Sequence, residues 1–119
     1  GEKRAVLRAL ALLPAPSRFV EVAVNACRTS VQSVFEAICC ENPYPASELP
    51  EAAFNQMVLK ALFTGVALAR IVGIDDRKNA ELARMAAGYA SERRAAGRSV
   101  PEDIGRVLAS EPPQQERPS

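Results

Sequence analysis

The sequence predicts an all-α protein, with antiparallel helix pairs in a bundle or a HEAT-like, solenoid-like arrangement of about six helices. Three observations carry this expectation. The chain is rich in alanine and leucine, which lose little side-chain freedom in a helix. No run alternates apolar and polar residues with β-branched enrichment, as a half-buried strand requires. Short connectors marked by proline separate the periodic segments, and proline cannot continue a helix through its missing donor.

Residues 2–13 form the first amphipathic segment, ended by Pro14-Ala15-Pro16. Ser17 then offers an N-cap oxygen to a second helix reaching about Arg28. Its polar residues Arg18, Glu21, Asn25 and Arg28 make one narrow stripe, so this helix is expected to be covered over most of its circumference. Thr29 or Ser30 caps a third helix ending at Cys40, with Val31, Val34, Phe35, Ile38 and Cys39 on one buried face. Asn42-Pro43-Tyr44-Pro45 reads as a stiff, non-helical connector.

A fourth helix begins at Pro50 or Glu51. Phe54, Met57, Val58, Ala61 and Leu62 fall on one apolar face and Leu59, Phe63 and Val66 on a second, with Asn55 between them. Gln56, Lys60 and Thr64 share the remaining polar stripe, so residues 51–64 are expected to be an inner rod wrapped by neighbours. Gly65 weakens the helix, which is expected to resume through Ala69, Arg70 and Val72 before closing at Gly73. Asp75, Asp76 and Asn79 offer capping oxygens to a helix over residues 80–96, closed by Gly97, with Leu82, Met85, Ala86 and Tyr89 inward. Ser99-Val100-Pro101-Glu102 matches a capping box before a short last helix through Leu108. No fixed repeat period is visible, which gives a regular solenoid no support.

At 119 residues the chain suits one domain, here residues 1–110, followed by a disordered tail of proline, glutamine and charge over 111–119. Fifteen basic and fourteen acidic residues nearly cancel, without the clustered basic excess of a nucleic-acid binder. The basic groups around Lys3 and Arg93 read as solvated helix faces. No apolar run approaches the ~20 residues that span a bilayer, and no signal-peptide pattern is present. Cys27, Cys39 and Cys40 make an odd set; Cys27 and Cys39 fall on apolar helix faces, Cys40 on the polar side of its helix. Reduced thiols and a cytoplasmic location are the expectation.

No cofactor or metal is expected: histidine, Cys-x-x-Cys and a glycine-rich phosphate loop are all missing from the sequence. Candidate site residues are therefore binding rather than catalytic. Asn55, an amide between two apolar faces, either bonds a neighbouring helix end or the 42–46 connector, or faces a ligand. Lys60, one turn from Gln56, either snorkels in a solvated stripe or lines a mostly apolar cleft that holds an anionic or hydroxylated ligand. Arg28 and Glu36 are positioned to pair across their helix junction. Arg70 joins Asp75, Asp76 and Arg77 around the Gly73 turn, where capping and surface pairing are the expected roles.

Residues 28–46, with Asn42-Pro43-Tyr44-Pro45, and residues 54–98, with Asn55-Gln56-Met57-Val58-Leu59-Lys60-Ala61, resemble the C-terminal half of the EboA family. The segment from Leu12-Leu13-Pro14 to Phe19 fits as well, so the likeness covers about residues 5–108. The resemblance implies the C-terminal part of a longer, intracellular protein. It also implies a gene set with a membrane prenyltransferase-like protein and sugar-metabolism-like enzymes, which moves or matures a secondary metabolite toward the periplasm. It implies no established catalytic activity.

The expected function is a non-enzymatic binding or adaptor domain whose partners are pathway proteins or a small-molecule intermediate. The alternative is part of an enzyme with Asn55, Gln56 and Lys60 at its site. Asn42 and Tyr44 belong to the same candidate surface. Self-association through the alanine-rich first helix, giving a homodimer, is a further expectation.

Overall fold

The computed structural model describes Arg4 and residues 16–108. Among these residues there are six α-helices and no strand: α1 Val20–Cys27, α2 Gln32–Cys39, α3 Tyr44–Glu48, α4 Glu51–Thr64, α5 Ala80–Ala95 and α6 Gly105–Leu108. Four short 3₁₀ turns, Pro16–Phe19, Leu68–Arg70, Ile74–Asp76 and Glu102–Ile104, fill the connections. The expected first helix and the tail over 111–119 lie outside the described residues. Packing pairs α1 with α2, α2 with α3, α4 with α5, and α5 with α6.

The buried apolar side chains form one cluster. Phe35 and Ile38 of α2, Tyr44 of α3, Phe54, Met57 and Val58 of α4, Leu82 of α5 and Val107 of α6 contribute its largest fully buried members, with Leu68 and Ile74 from the turns. Helix α4 supplies most of it, burying Phe54, Asn55, Met57, Val58, Leu59, Ala61 and Leu62. It is not wrapped on every side. Ala52, Gln56 and Thr64 are exposed, and Phe63, expected on an apolar face, is 61% exposed.

Proline and glycine set the ends of α4. Pro50 is its extended N-cap, and Gly65 closes it in the left-handed conformation at φ 80°, its N–H returning to the Ala61 carbonyl. The helix does not resume after Gly65 as expected; the chain continues through two 3₁₀ turns instead. Gly73 is required there twice over. Its φ is 77°, and a Cβ on it would stand 2.8 Å from the Ala46 Cβ, where the turn crosses α3.

The Asn42–Pro45 segment departs from its expected form, because Tyr44 and Pro45 open helix α3. Pro45 sits in the first turn, where its missing N–H costs nothing. The Asn42 side chain makes the corner: its Nδ2 donates to the Ala37 carbonyl at 3.0 Å and its Oδ1 accepts from the Tyr44 N–H at 3.0 Å. Arg77 holds the far end of α3. Its guanidinium donates to the Pro45, Ala46 and Leu49 carbonyls and lies 4.5 Å from the centre of the Phe54 ring.

Three expected caps are replaced. Helix α1 starts after Phe19 with no side-chain cap, and α2 starts after Val31, whose N–H is taken by the Thr29 hydroxyl. The capping box at residues 99–102 is not formed; instead the Asp103 carboxylate accepts the Leu68 N–H at 2.8 Å, tying the last turns to the chain after α4. Asn79 caps α5 as expected, accepting from the Leu82 N–H. Helix α1 is also less covered than its apolar composition suggested. Only Ala23 and Ala26 are buried, and Val22 is 46% exposed.

Candidate functional site

A groove of about 950 Å³ runs between α1 and α4. Helix α1 contributes Val24 and Cys27, three residues apart on one face, and its C-cap Arg28 follows Val24 by four. Helix α4 contributes Ala53, Gln56, Met57, Lys60, Phe63 and Thr64, again at spacings of three and four, with Pro50 and Ala52 at its start. The walls are mostly hydrocarbon. The polar side chains on them are Arg28, Gln56, Lys60 and Thr64, so among the described residues the lining carries two cations and no carboxylate.

Lys60 joins the two walls. Its ammonium donates to the Cys27 carbonyl at 2.9 Å and to the Thr29 carbonyl, and stands 4.8 Å from the centre of the Phe35 ring. The last carbonyls of a helix lack intrahelical partners and form the negative end of its dipole. A lysine from another helix therefore satisfies them and offsets that charge. Most of the hydrogen-bonding capacity of Lys60 is spent in this way, its stem lying along the groove.

Arg28 is different. It is exposed, and among the described residues its side chain makes no hydrogen bond or ion pair. The pair expected with Glu36 is not formed. Glu36 accepts instead from Arg70 at 3.0 Å and from Gln32 at 3.1 Å. Arg70, carried by a turn 34 residues further along, also grips both oxygens of Glu41, at 2.8 and 3.0 Å. Its guanidinium bond is the main cause holding the Glu36 carboxyl below the usual range. This network pins α2 to the loop after α4, outside the groove lining.

Of the other candidate residues, Gln56 lines the groove, exposed. Asn55, one residue away on α4, points into the interior and pairs with Asn79. Asn42 and Tyr44 are buried at the α2–α3 corner. The structure thus brings Arg28, Gln56 and Lys60 to one place and leaves Asn55, Asn42, Tyr44, Glu36 and Arg70 elsewhere. Sequence reasoning did not single out Val24, Cys27, Ala53, Met57 or Phe63 as groove residues. Their shared-face spacing was visible, but spacing cannot say that those two faces meet each other.

Cys27 sits half-buried on the groove wall, its thiol pushed up to about 11 by burial, which Lys60 and Arg28 oppose only in part. Cys39 and Cys40 are fully buried, Cys40 contrary to the polar placement expected for it. Among the described residues no three of His, Cys, Asp and Glu are grouped so as to hold a metal ion. None of the described helices is long and apolar enough to cross a membrane.

The model of one protein family, metabolite traffic protein EboA, matches residues 1–109. The chain belongs to the EboA family. No curated protein and no solved structure is significantly similar to it. EboA membership points to a role in metabolite traffic. In this EboA-family chain the groove between α1 and α4 has the dimensions of a small-molecule site, which typically measures about 300–1,000 Å³.

Proposed function

We infer that the chain is a non-enzymatic binding module of metabolite traffic, which holds a largely apolar pathway intermediate in the groove between α1 and α4. The observation that carries this reading is the lining itself: Val24, Ala53, Met57 and Phe63 offer apolar contact, and a few polar groups orient the ligand. The exposed Phe63 suits such a ligand, since a ring gives contact area at low entropy cost. Among the described residues neither imidazole nor carboxylate, the usual carriers of acid–base chemistry, lines this groove. Carriage with the chemistry left to other members of the pathway accords with that lining, and with cytoplasmic proteins of the pathway as givers and takers of the ligand.

The test is uptake of a neutral apolar fluorophore, N-phenyl-1-naphthylamine. A saturable rise in emission is expected, weakened at least about tenfold by Ala53→Trp, which fills the groove from the half-buried wall. Uptake that does not saturate, or that Ala53→Trp leaves unchanged in a variant with native melting, would overturn the reading.

A further inference from the structure

We propose that the groove selects an apolar chain ending in an anion, carboxylate or phosphate, with the anionic head at Arg28 and the chain running along α4 toward Ala53. The proposal rests on the binding reading above and adds the ligand's chemical class and direction.

Charge is the first argument. Among the described residues both formal charges on the lining, Arg28 and Lys60, are positive, and no acid there offsets them. Elsewhere on the described chain, acids or carbonyls occupy the arginines that bridge elements: Arg70 by Glu36 and Glu41, Arg106 by Asp75, and Arg77 by the end of α3. No described residue takes a guanidinium donor of Arg28, and a planar fork matches carboxylate or phosphate in two parallel bonds.

The second argument concerns the end of α1. A helix C-terminus repels anions through its exposed carbonyls. Here the Lys60 ammonium covers the Cys27 and Thr29 carbonyls, so the groove meets a neutralised end with a cation beside it. The same placement means that Lys60 need not leave its carbonyls for Arg28 to bind.

The third argument is polarity along α4. Lys60 and Thr64 lie near one end of the groove's α4 wall and Pro50, Ala52 and Ala53 at the other. Ala53 and Thr64 are about 16 Å apart at the helical rise per residue. Among the described residues the end near Pro50 offers no charged partner, only Pro50, Ala52 and Ala53 with the Gln56 amide one turn away, so the head-group contact is at the Arg28 end.

Displacement of N-phenyl-1-naphthylamine by dodecanoate, dodecyl phosphate and dodecanol, each below its aggregation limit, tests the proposal. At least one anion is expected to displace the probe at about tenfold lower concentration than the alcohol, the gain of one charge-assisted contact. In Arg28→Gln that ratio is expected to fall to about one, with melting temperature as the check on folding. Whichever anion leads identifies the head group. An alcohol as effective as both anions overturns the charge inference while the groove reading stands. An anion preference that survives Arg28→Gln overturns the placement of the head. Failure of all three to displace a bound probe overturns the chain specificity, and failure of the probe itself to bind returns the fault to the groove reading.

Discussion

Asn55 and Asn79 exchange side-chain hydrogen bonds in both directions across the α4–α5 boundary, at 3.1 Å one way and 2.9 Å the other. Asn55 is 1% exposed, so its amide has no water to fall back on. Asn79 is saturated: its oxygen also accepts from the Leu82 N–H, and its nitrogen also donates to the Arg77 carbonyl. One amide pair therefore starts α5, fixes the preceding turn and satisfies a buried polar group in the core.

Asn55→Ala is expected to cost about 0.5–1.5 kcal/mol, because Asn79 loses the exchanged pair but keeps its bonds to the Leu82 N–H and the Arg77 carbonyl. Asn79→Ala adds loss of the cap, about 0.5–2 kcal/mol in itself. In a double-mutant cycle by urea unfolding the two should be non-additive by about 0.5–3 kcal/mol. Additive costs would show that the pair is not a unit.

Lys60→Met keeps the stem and removes the ammonium. A loss of about 1–3 kcal/mol is expected as the Cys27 and Thr29 carbonyls lose their donor. Amide exchange in the last turn of α1 should quicken while that of α5 holds. Unchanged exchange in α1 would mean that the lysine is not its cap.

The Cys27 thiol, at about 11 in the folded chain, should be about a thousandth thiolate at pH 8. Burial also raises Cys39 and Cys40. The native protein is therefore expected to react slowly with iodoacetamide at pH 8, faster by about tenfold per pH unit toward pH 11 at Cys27, whereas the unfolded chain should react at all three cysteines. Rapid labelling of native Cys27 at pH 8 would contradict its placement.

Glu36 is held below the usual carboxylate range by Arg70, with help from Gln32. Its folded value is depressed, so its stabilisation is present above the unfolded value of about 4.3 and is lost as pH falls through the folded one. Melting temperature should thus fall less between pH 7 and pH 3 in Glu36→Gln than in the parent chain, and the difference should shrink in high salt because the pair is open to solvent. Equal slopes would show that the pair contributes nothing.

The all-α class and the positions of the long helices were legible in the sequence, because they depend on contacts within a few residues. Pro50 and Gly65 bracket α4, and Asn79 and Gly97 bracket α5, whatever those helices pack against. The family resemblance was legible too, in the strings at 42–45 and 55–61, and the family match over residues 1–109 agrees with it.

Which faces meet was decided only in three dimensions. The apolar circumference of α1 predicted wide burial, yet hydrophobicity states what a helix can bury and not whether a neighbour is there; Val22 stayed exposed. Glu36 was within reach of Arg28 by sequence, but Arg70, arriving from a distant turn, took it. Proline in the 42–45 connector suggested a rigid coil, yet proline in a first turn is compatible with helix, and Asn42 and Arg77 complete both ends. The groove follows the same logic. Periodicity assigned each of its walls to a helix face, while their facing one another, with Lys60 bonded across to α1 and Arg28 unpaired, depends on contacts some thirty residues apart that no local pattern encodes.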